Sequence, residues 1–182
     1  AVAQAKGLGG DAFLRSVIAG YEVSNRLAVC VNPGHYQFWH TTGTIGTFGA
    51  AAGAGVALGL SGEHIGHAMA NAVTLAAGLQ QAFRADAMAK PMHTANAAQT
   101  GVMLAMAAEH GVTGAMDILE GECGFGAAMC PGIENGPDWQ AAADDHAPRA
   151  LTAHEQRVYD IYRDIIAFRT AAGHGQMDDM VA

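Results

Sequence analysis

The sequence predicts an all-α fold, a compact bundle of tightly packed helices, and three observations carry that prediction. Glycine is dense, with 24 residues in 182, while proline is rare at five. Apolar residues recur at three- and four-residue spacing rather than in alternation, which is the period of a helix face. The runs are separated by Gly, Pro and hydroxyl residues of the kind that start and stop helices. A chain of this length suits one domain with a sizeable core.

The chain opens on residues that read as the middle of a helix. Asp11 is placed to cap a helix running to about Ala28, with Phe13, Val17, Ile18, Tyr21 and Leu27 as its apolar face and Gly20 allowing close approach of a neighbour. Asn32-Pro33-Gly34 marks a loop from about Cys30 to Trp39. The next helix, about Thr42 to Leu58, carries Gly46, Gly49 and Gly53 among alanines. Glycine is costly inside a helix, so backbone-to-backbone packing must offset it. Gly59 ends that helix and Ser61 caps the next, about Gly62 to Leu79, where Ile65, Ala68, Met69, Ala72, Val73 and Ala76 repeat at helical spacing. A polar loop, Gln80 to Ala89, leads into a helix from Pro91 to about His110. A short helix from about Gly114 to Glu120 then precedes the glycine-rich turn Gly121 to Gly126.

After Cys130 the composition changes. Pro131, Gly132, Asn135, Gly136 and Pro137 with Asp144 and Asp145 read as a linker over 131–150. Leu151 to Ala171 then reads as an amphipathic helix with Val158, Ile161, Tyr162, Ile165 and Phe168 on a stripe, followed by a frayed tail to Ala182. The expected organisation is a helical domain over 1–130, the linker, and a C-terminal helix with tail over 151–182.

Charge excludes several partners. At −8 net, with nine Lys and Arg scattered along the chain, no basic patch is available for nucleic acid or an anionic membrane surface. Cys30, Cys123 and Cys130 are odd in number and lack metal-ligand spacing, which reads as reduced thiols in a cytoplasmic protein, a disulfide between Cys123 and Cys130 being the less favoured reading. No charged segment followed by an apolar run opens the sequence, so no signal peptide is visible. The Gly43–Gly55 run lacks the G-x-G-x-x-G order of a dinucleotide loop, and it lacks the aromatic and basic flanks of a membrane span. His64 and His67 share a helix face, but no third ligand is evident, so no metal site is assigned. These two, with His35, His110, His146, His154 and His174, are read as structural or surface groups.

Chemistry concentrates in Ala89-Lys90-Pro91-Met92-His93. Proline fits a first helical position, and the residue before it is pushed out of the α region, so Lys90 is expected just outside a helix and His93 in its first turn. Free N–H groups there and the positive end of the helix dipole add to the lysine's charge, which favours a bound carboxylate or phosphate. His40-Thr41-Thr42-Gly43 has the same form, with Thr41 or Thr42 as N-cap and His40 at a second helix mouth. Two such mouths could grip a molecule with more than one carboxylate, and the imidazoles could move protons near neutral pH. Taken singly, each histidine reads first as a cap or a core hydrogen-bonder, and Lys90 as a surface lysine.

Four motifs in order, Gly20-Tyr21-Glu22-Val23-Ser24-Asn25-Arg26-Leu27, His40 to Ala51, Lys90-Pro91-Met92-His93 and Leu119 to Phe125, resemble the MmgE/PrpD family over roughly residues 1–130. That family includes 2-methylcitrate dehydratase, cis-aconitate decarboxylase and iminodisuccinate epimerase. The resemblance implies a helical domain completed by a smaller α/β lid, a homodimer, and a metal-free, cofactor-free site that handles di- and tricarboxylates. It implies that His40, Lys90 and His93 line that site and act in catalysis, with Thr41 beside them in substrate binding. The family's upstream segment with an aspartate and a further histidine, and its lid with a lysine and a histidine, have no counterpart in the sequence, and 131–182 matches nothing in the family pattern. The function expected is therefore that of a lyase-type domain, 2-methylcitrate dehydratase-like first, with decarboxylase or epimerase as alternatives. This chain alone is expected to lack the full catalytic set. The alternative class is a non-catalytic helical piece that dimerises or assembles.

Overall fold

Helices rich in Gly and Ala present so little side chain that two of them can approach until backbone meets backbone, and this chain's core is built that way. The computed structural model describes residues 1–134 and 136–143. The helices are α1 (Val2–Ala5), α2 (Gly10–Val31), α3 (Thr41–Leu58), α4 (Gly62–Leu75), α5 (Lys90–Glu109), α6 (Phe125–Met129) and α7 (Trp139–Ala143), with 3₁₀ turns at His35–Gln37 and Gln80–Phe83. The fold is all-α; among the described residues the only extended pairing is a lone bridge between Trp39 and Leu79.

Helix α3 lies at the centre, packed against α2, α4 and α5. Its Ile45, Phe48, Ala51 and Ala52 are buried, and so are Thr44 and Thr47. Those hydroxyls are satisfied, Thr47 by donating to the Gly43 carbonyl at 2.7 Å and Thr44 by pairing with the His35 ring. Along the α2–α3 seam a Cβ on Gly20 would stand 2.9 Å from the Gly49 carbonyl oxygen, and one on Gly53 would stand 2.9 Å from that of Ser16. On the other side, a Cβ on Gly101 of α5 would lie 2.6 Å from the backbone of Ala50 and Ala51. Contacts this close leave no room for even a methyl group. Phe125 of α6 closes the core beneath α3, its ring edge-on to Phe48 at 5.4 Å.

Two of the expected helix ends fall where the sequence puts them. Gly59 terminates α3 in the left-handed region at φ +75°, and the Ser61 hydroxyl accepts the His64 N–H to start α4.

Others differ. Asp11 lies in the first turn of α2 rather than at the cap, which is Gly9, and its carboxylate accepts from Arg15 Nε at 2.8 Å. The opening helix stops early, at Ala5, with Gly7 at φ +62° before Gly10 begins α2. The cap of α3 is His40, not Thr41 or Thr42, since the His40 carbonyl accepts from the N–H groups of Gly43 and Thr44 and begins the helix there. Lys90 is the first residue of α5 rather than outside it. The first N–H groups of a helix have no partner within it, so Pro91 at the next position costs no bond and Lys90 can be helical. Helix α4 ends at Leu75, because Ala76 to Leu79 runs extended to meet the Trp39 segment. Residues 114–115 are irregular and 116–120 form turns instead of a helix, tied down by Gly114 N–H to His67 Nδ1 and by Phe125 N–H to the Ile118 carbonyl.

Where a linker is expected, Pro137 is buried and α7 packs on α2, with Arg26 donating to the Ala142 carbonyl at 3.3 Å. The expected helix Leu151 to Ala171 and the tail after it lie outside the described residues.

Candidate active site

Two helix mouths meet because the extended strip after α4 crosses the segment before α3. The His40 N–H donates to the Gly78 carbonyl at 2.8 Å and the Gln80 N–H to the Phe38 carbonyl at 2.9 Å. The buried Gln80 side chain adds a bond to the Trp39 carbonyl at 3.3 Å. Glycine is required where the chains cross. Gly78 adopts φ +143°, and a Cβ there would press on the His93 ring, 3.1 Å from Nδ1. A Cβ on Gly43 would stand 3.2 Å from that of His93.

The outcome is an imidazole pair. His40 Nδ1 and His93 Nδ1 are 3.0 Å apart, the ring of His40 buried and that of His93 half-buried. Phe83, at the end of the 3₁₀ turn, stands edge-on to both rings, with centroids 4.5 Å from His40 and 6.1 Å from His93. Lys90 Nζ sits 4.8 Å from the centroid of the same phenyl ring, a cation–π contact that holds the ammonium beside the pair while leaving it exposed. Burial chiefly, and then the charges of His93 and Lys90, push the His40 imidazole below its ordinary range. At neutral pH it is a bare base or ligand next to a fixed cation.

Of the four residues expected in the site, the structure brings together His40, Lys90 and His93. Thr41 stands apart from them, its hydroxyl pointing to Asn32 Oδ1 at 3.5 Å and its side chain lining a different feature. That feature is an apolar groove of about 660 Å³ between α2, α3 and α5, walled by Tyr21, Ser24, Gly46, Ala98 and Val102 among others. It contains neither imidazole, so cavity size and chemistry do not coincide here, and the chemistry marks the site. Phe83, Gly78 and Gln80 are contributors the sequence reading passes over. Phe83 alone had a signal: it is the one aromatic residue in the loop Gln80 to Ala89.

The remaining histidines divide by their contacts. His35 is fully buried; its Nδ1–H donates to the Met129 carbonyl at 2.9 Å, so its Nε2 accepts from the Thr44 hydroxyl at 2.7 Å. It joins α6 to α3 and is a structural group. His67 accepts from the Gly114 N–H, and among the described residues no three His, Cys, Asp or Glu side chains converge as metal ligands would.

Comparison with known proteins gives two findings. The model of the MmgE/PrpD N-terminal domain matches residues 1–137. Human cis-aconitate decarboxylase is 40% identical over 89 residues, a stretch amounting to 49% of this chain and 18% of the relative. The matched stretch thus spans less than a fifth of that relative's length.

Proposed function

Because the chain belongs to the MmgE/PrpD family, we propose that it serves a lyase-type enzyme acting on a small di- or tricarboxylate. Dehydration of 2-methylcitrate or a close analogue is the first reaction to test, with decarboxylation and epimerisation as the other outcomes the same groups would serve. The observation that carries this reading is the cluster of one ammonium and two imidazoles around the Phe83 ring at a helix start. Lys90 is the electrostatic anchor for one carboxylate. Removing a proton beside a carboxylate builds enolate-like charge, and a positioned cation stabilises that charge more than it stabilises the substrate. His40 and His93 supply carboxylate contacts and proton transfer. Completion of the site by a lid and by a second copy of the chain in a homodimer, in the cytoplasm, belongs to the same proposal. No helix among the described residues is long and apolar enough to cross a membrane.

A second reading, an association module without catalysis, has its own support. Leu14, Ile18, Tyr21 and Val29 share one exposed face of α2. One experiment separates the two. 2-Methylcitrate, cis-aconitate and iminodisuccinate are offered to the longer protein that joins this domain to its lid, and to its Lys90→Ala variant, with helix content checked by circular dichroism. The enzyme reading expects turnover of one substrate and a loss of about 10²-fold or more in the variant. An unchanged rate would remove Lys90 as anchor, and no turnover of any substrate by a well-folded protein would leave the association reading.

A further inference from the structure

Two imidazole nitrogens 3.0 Å apart constrain each other's protons. A hydrogen bond needs one donor and one acceptor. Two bare Nδ1 atoms would oppose their lone pairs, and two Nδ1–H groups would drive their hydrogens together. One ring therefore carries Nδ1–H and the other a bare Nδ1. A neutral imidazole holds one proton, so the first ring has a bare Nε2 and the second an Nε2–H. Among the described residues no buried side-chain nitrogen lacks a hydrogen-bond partner, and His40 Nε2 makes no bond, so that atom is open to solvent rather than sealed in the core.

We infer that His40 and His93 act as one acid–base couple, presenting a base and an acid at the same time and exchanging those roles through the Nδ1–Nδ1 bond. The inference rests on the proposed polycarboxylate reaction. In a dehydration the bare Nε2 of the first ring takes the proton from the substrate carbon, and the C–H electron pair becomes the new C=C bond. The Nδ1 proton of that ring crosses to the second ring. The second ring's Nε2–H passes to the departing hydroxyl, which leaves as water with the C–O electron pair. One proton enters the couple and one leaves, with no oxidant or reductant needed, and the two rings finish with their tautomers exchanged.

The surroundings oppose an extra proton on His40. The charged groups that act on His40 are His93 and Lys90, both of α5. The residues of α3, of the extended strip 76–79 and of the 3₁₀ turn Gln80–Phe83 include no Asp, Glu, Lys or Arg. The loop that joins this turn to α5 carries Arg84 and Asp86, but the charges that act on His40 are His93 and Lys90 alone, so no carboxylate stabilises an extra proton there and the lysine opposes one. An extra proton would convert both Nε2 atoms to N–H and leave the couple without a base. Phe83 is the positioning residue, edge-on to both rings.

The couple is tested by two measurements, kinetics on the longer protein that joins this domain to its lid and nitrogen spectroscopy on this chain. In kinetics, His40→Gln and His93→Gln should each lose about 10²- to 10⁴-fold in kcat/KM, and the double variant no more than the worse single one, because groups acting as a unit are not additive. Losses that multiply in the double variant would overturn the couple. The second measurement needs no turnover: with ¹⁵N-labelled histidine at pH 8, one Nδ1 of the pair should read as N–H and the other as bare, and His93→Gln should change the tautomer of His40. Identical tautomers on both rings, or a His40 indifferent to His93, would overturn it. Asparagine variants replace any glutamine variant that fails to fold. A couple seen in the nitrogen signals, with no turnover of any polycarboxylate by the longer protein that carries the lid, would sink the reaction reading and leave the couple standing.

Discussion

Two buried histidines show how the same residue type is put to different ends. His35 is locked on both ring nitrogens by Met129 and Thr44, and burial chiefly pushes it below the ordinary imidazole range. His40 is shifted the same way, again first by burial, yet keeps one nitrogen unbonded. Both shifts make stability depend on pH. A histidine whose folded pKa is depressed binds fewer protons folded than unfolded, so stability is fully present above the unfolded value of about 6.5 and is lost as pH falls from there through the folded value. Thermal unfolding should therefore show a melting temperature that is flat above pH 7 and declines on acidification. His35→Leu should make that decline shallower; an equal slope in the variant would show that His35 does not contribute. His40, His93 and Lys90 could be named as candidates from the sequence because they fall in the family motifs, beside a proline-started helix and a threonine-glycine run that mark helix mouths locally. Phe83 and Gly78 could not, since what they do depends on a crossing of segments about 40 residues apart, Trp39 with Leu79.

The same distinction holds for whole elements. Helix ends set by adjacent residues, Gly59 and Ser61, could be read from the sequence. Ends set by distant partners could not: α4 looked apolar and periodic to Leu79, but its last residues are drawn off to meet Trp39, and 114–120 is held out of a helix by His67 and Phe125. The glycines of α3 were legible as packing residues collectively but not individually. At Gly49 a methyl would run into the Ser24 hydroxyl and stand 2.6 Å from the Gly20 carbonyl oxygen; at Gly46 it would meet only the Ala97 methyl, at 3.9 Å. One substitution in one helix should thus have opposite signs. Gly49→Ala is expected to destabilise by about 1–3 kcal/mol through overpacking. Gly46→Ala is expected to stabilise by about 0.5–1 kcal/mol through helix propensity. Urea unfolding of both variants checks this, and equal shifts would mean that the α2–α3 seam relaxes freely.

For the molecule as a whole, composition gave the all-α class and the family motifs gave the candidate site residues, while the distribution of exposed and buried reactive groups became visible only in three dimensions. All three cysteines are free; Cys30 and Cys130 are buried and Cys123 is exposed. Burial pushes the Cys30 thiol up, helped by the charge of Asp138, and pushes Cys130 up to about 11. Reaction with a water-soluble disulfide reagent at pH 8 should therefore modify Cys123 rapidly, and Cys30 and Cys130 only after unfolding. Rapid labelling of Cys130 in the native protein would mean that the α6 end of the core opens readily. The backbone bond from His40 N–H to the Gly78 carbonyl has a consequence at this scale as well. It lies outside any helix and exists only while the strip after α4, whose Gly78 packs on the His93 ring, stays against the segment before α3, so the exchange of that single amide with solvent deuterium is a gauge of site assembly. It should exchange as slowly as the amides of α3, and should quicken on any change that parts the mouths, long before the helices themselves melt, with no substrate required to see it.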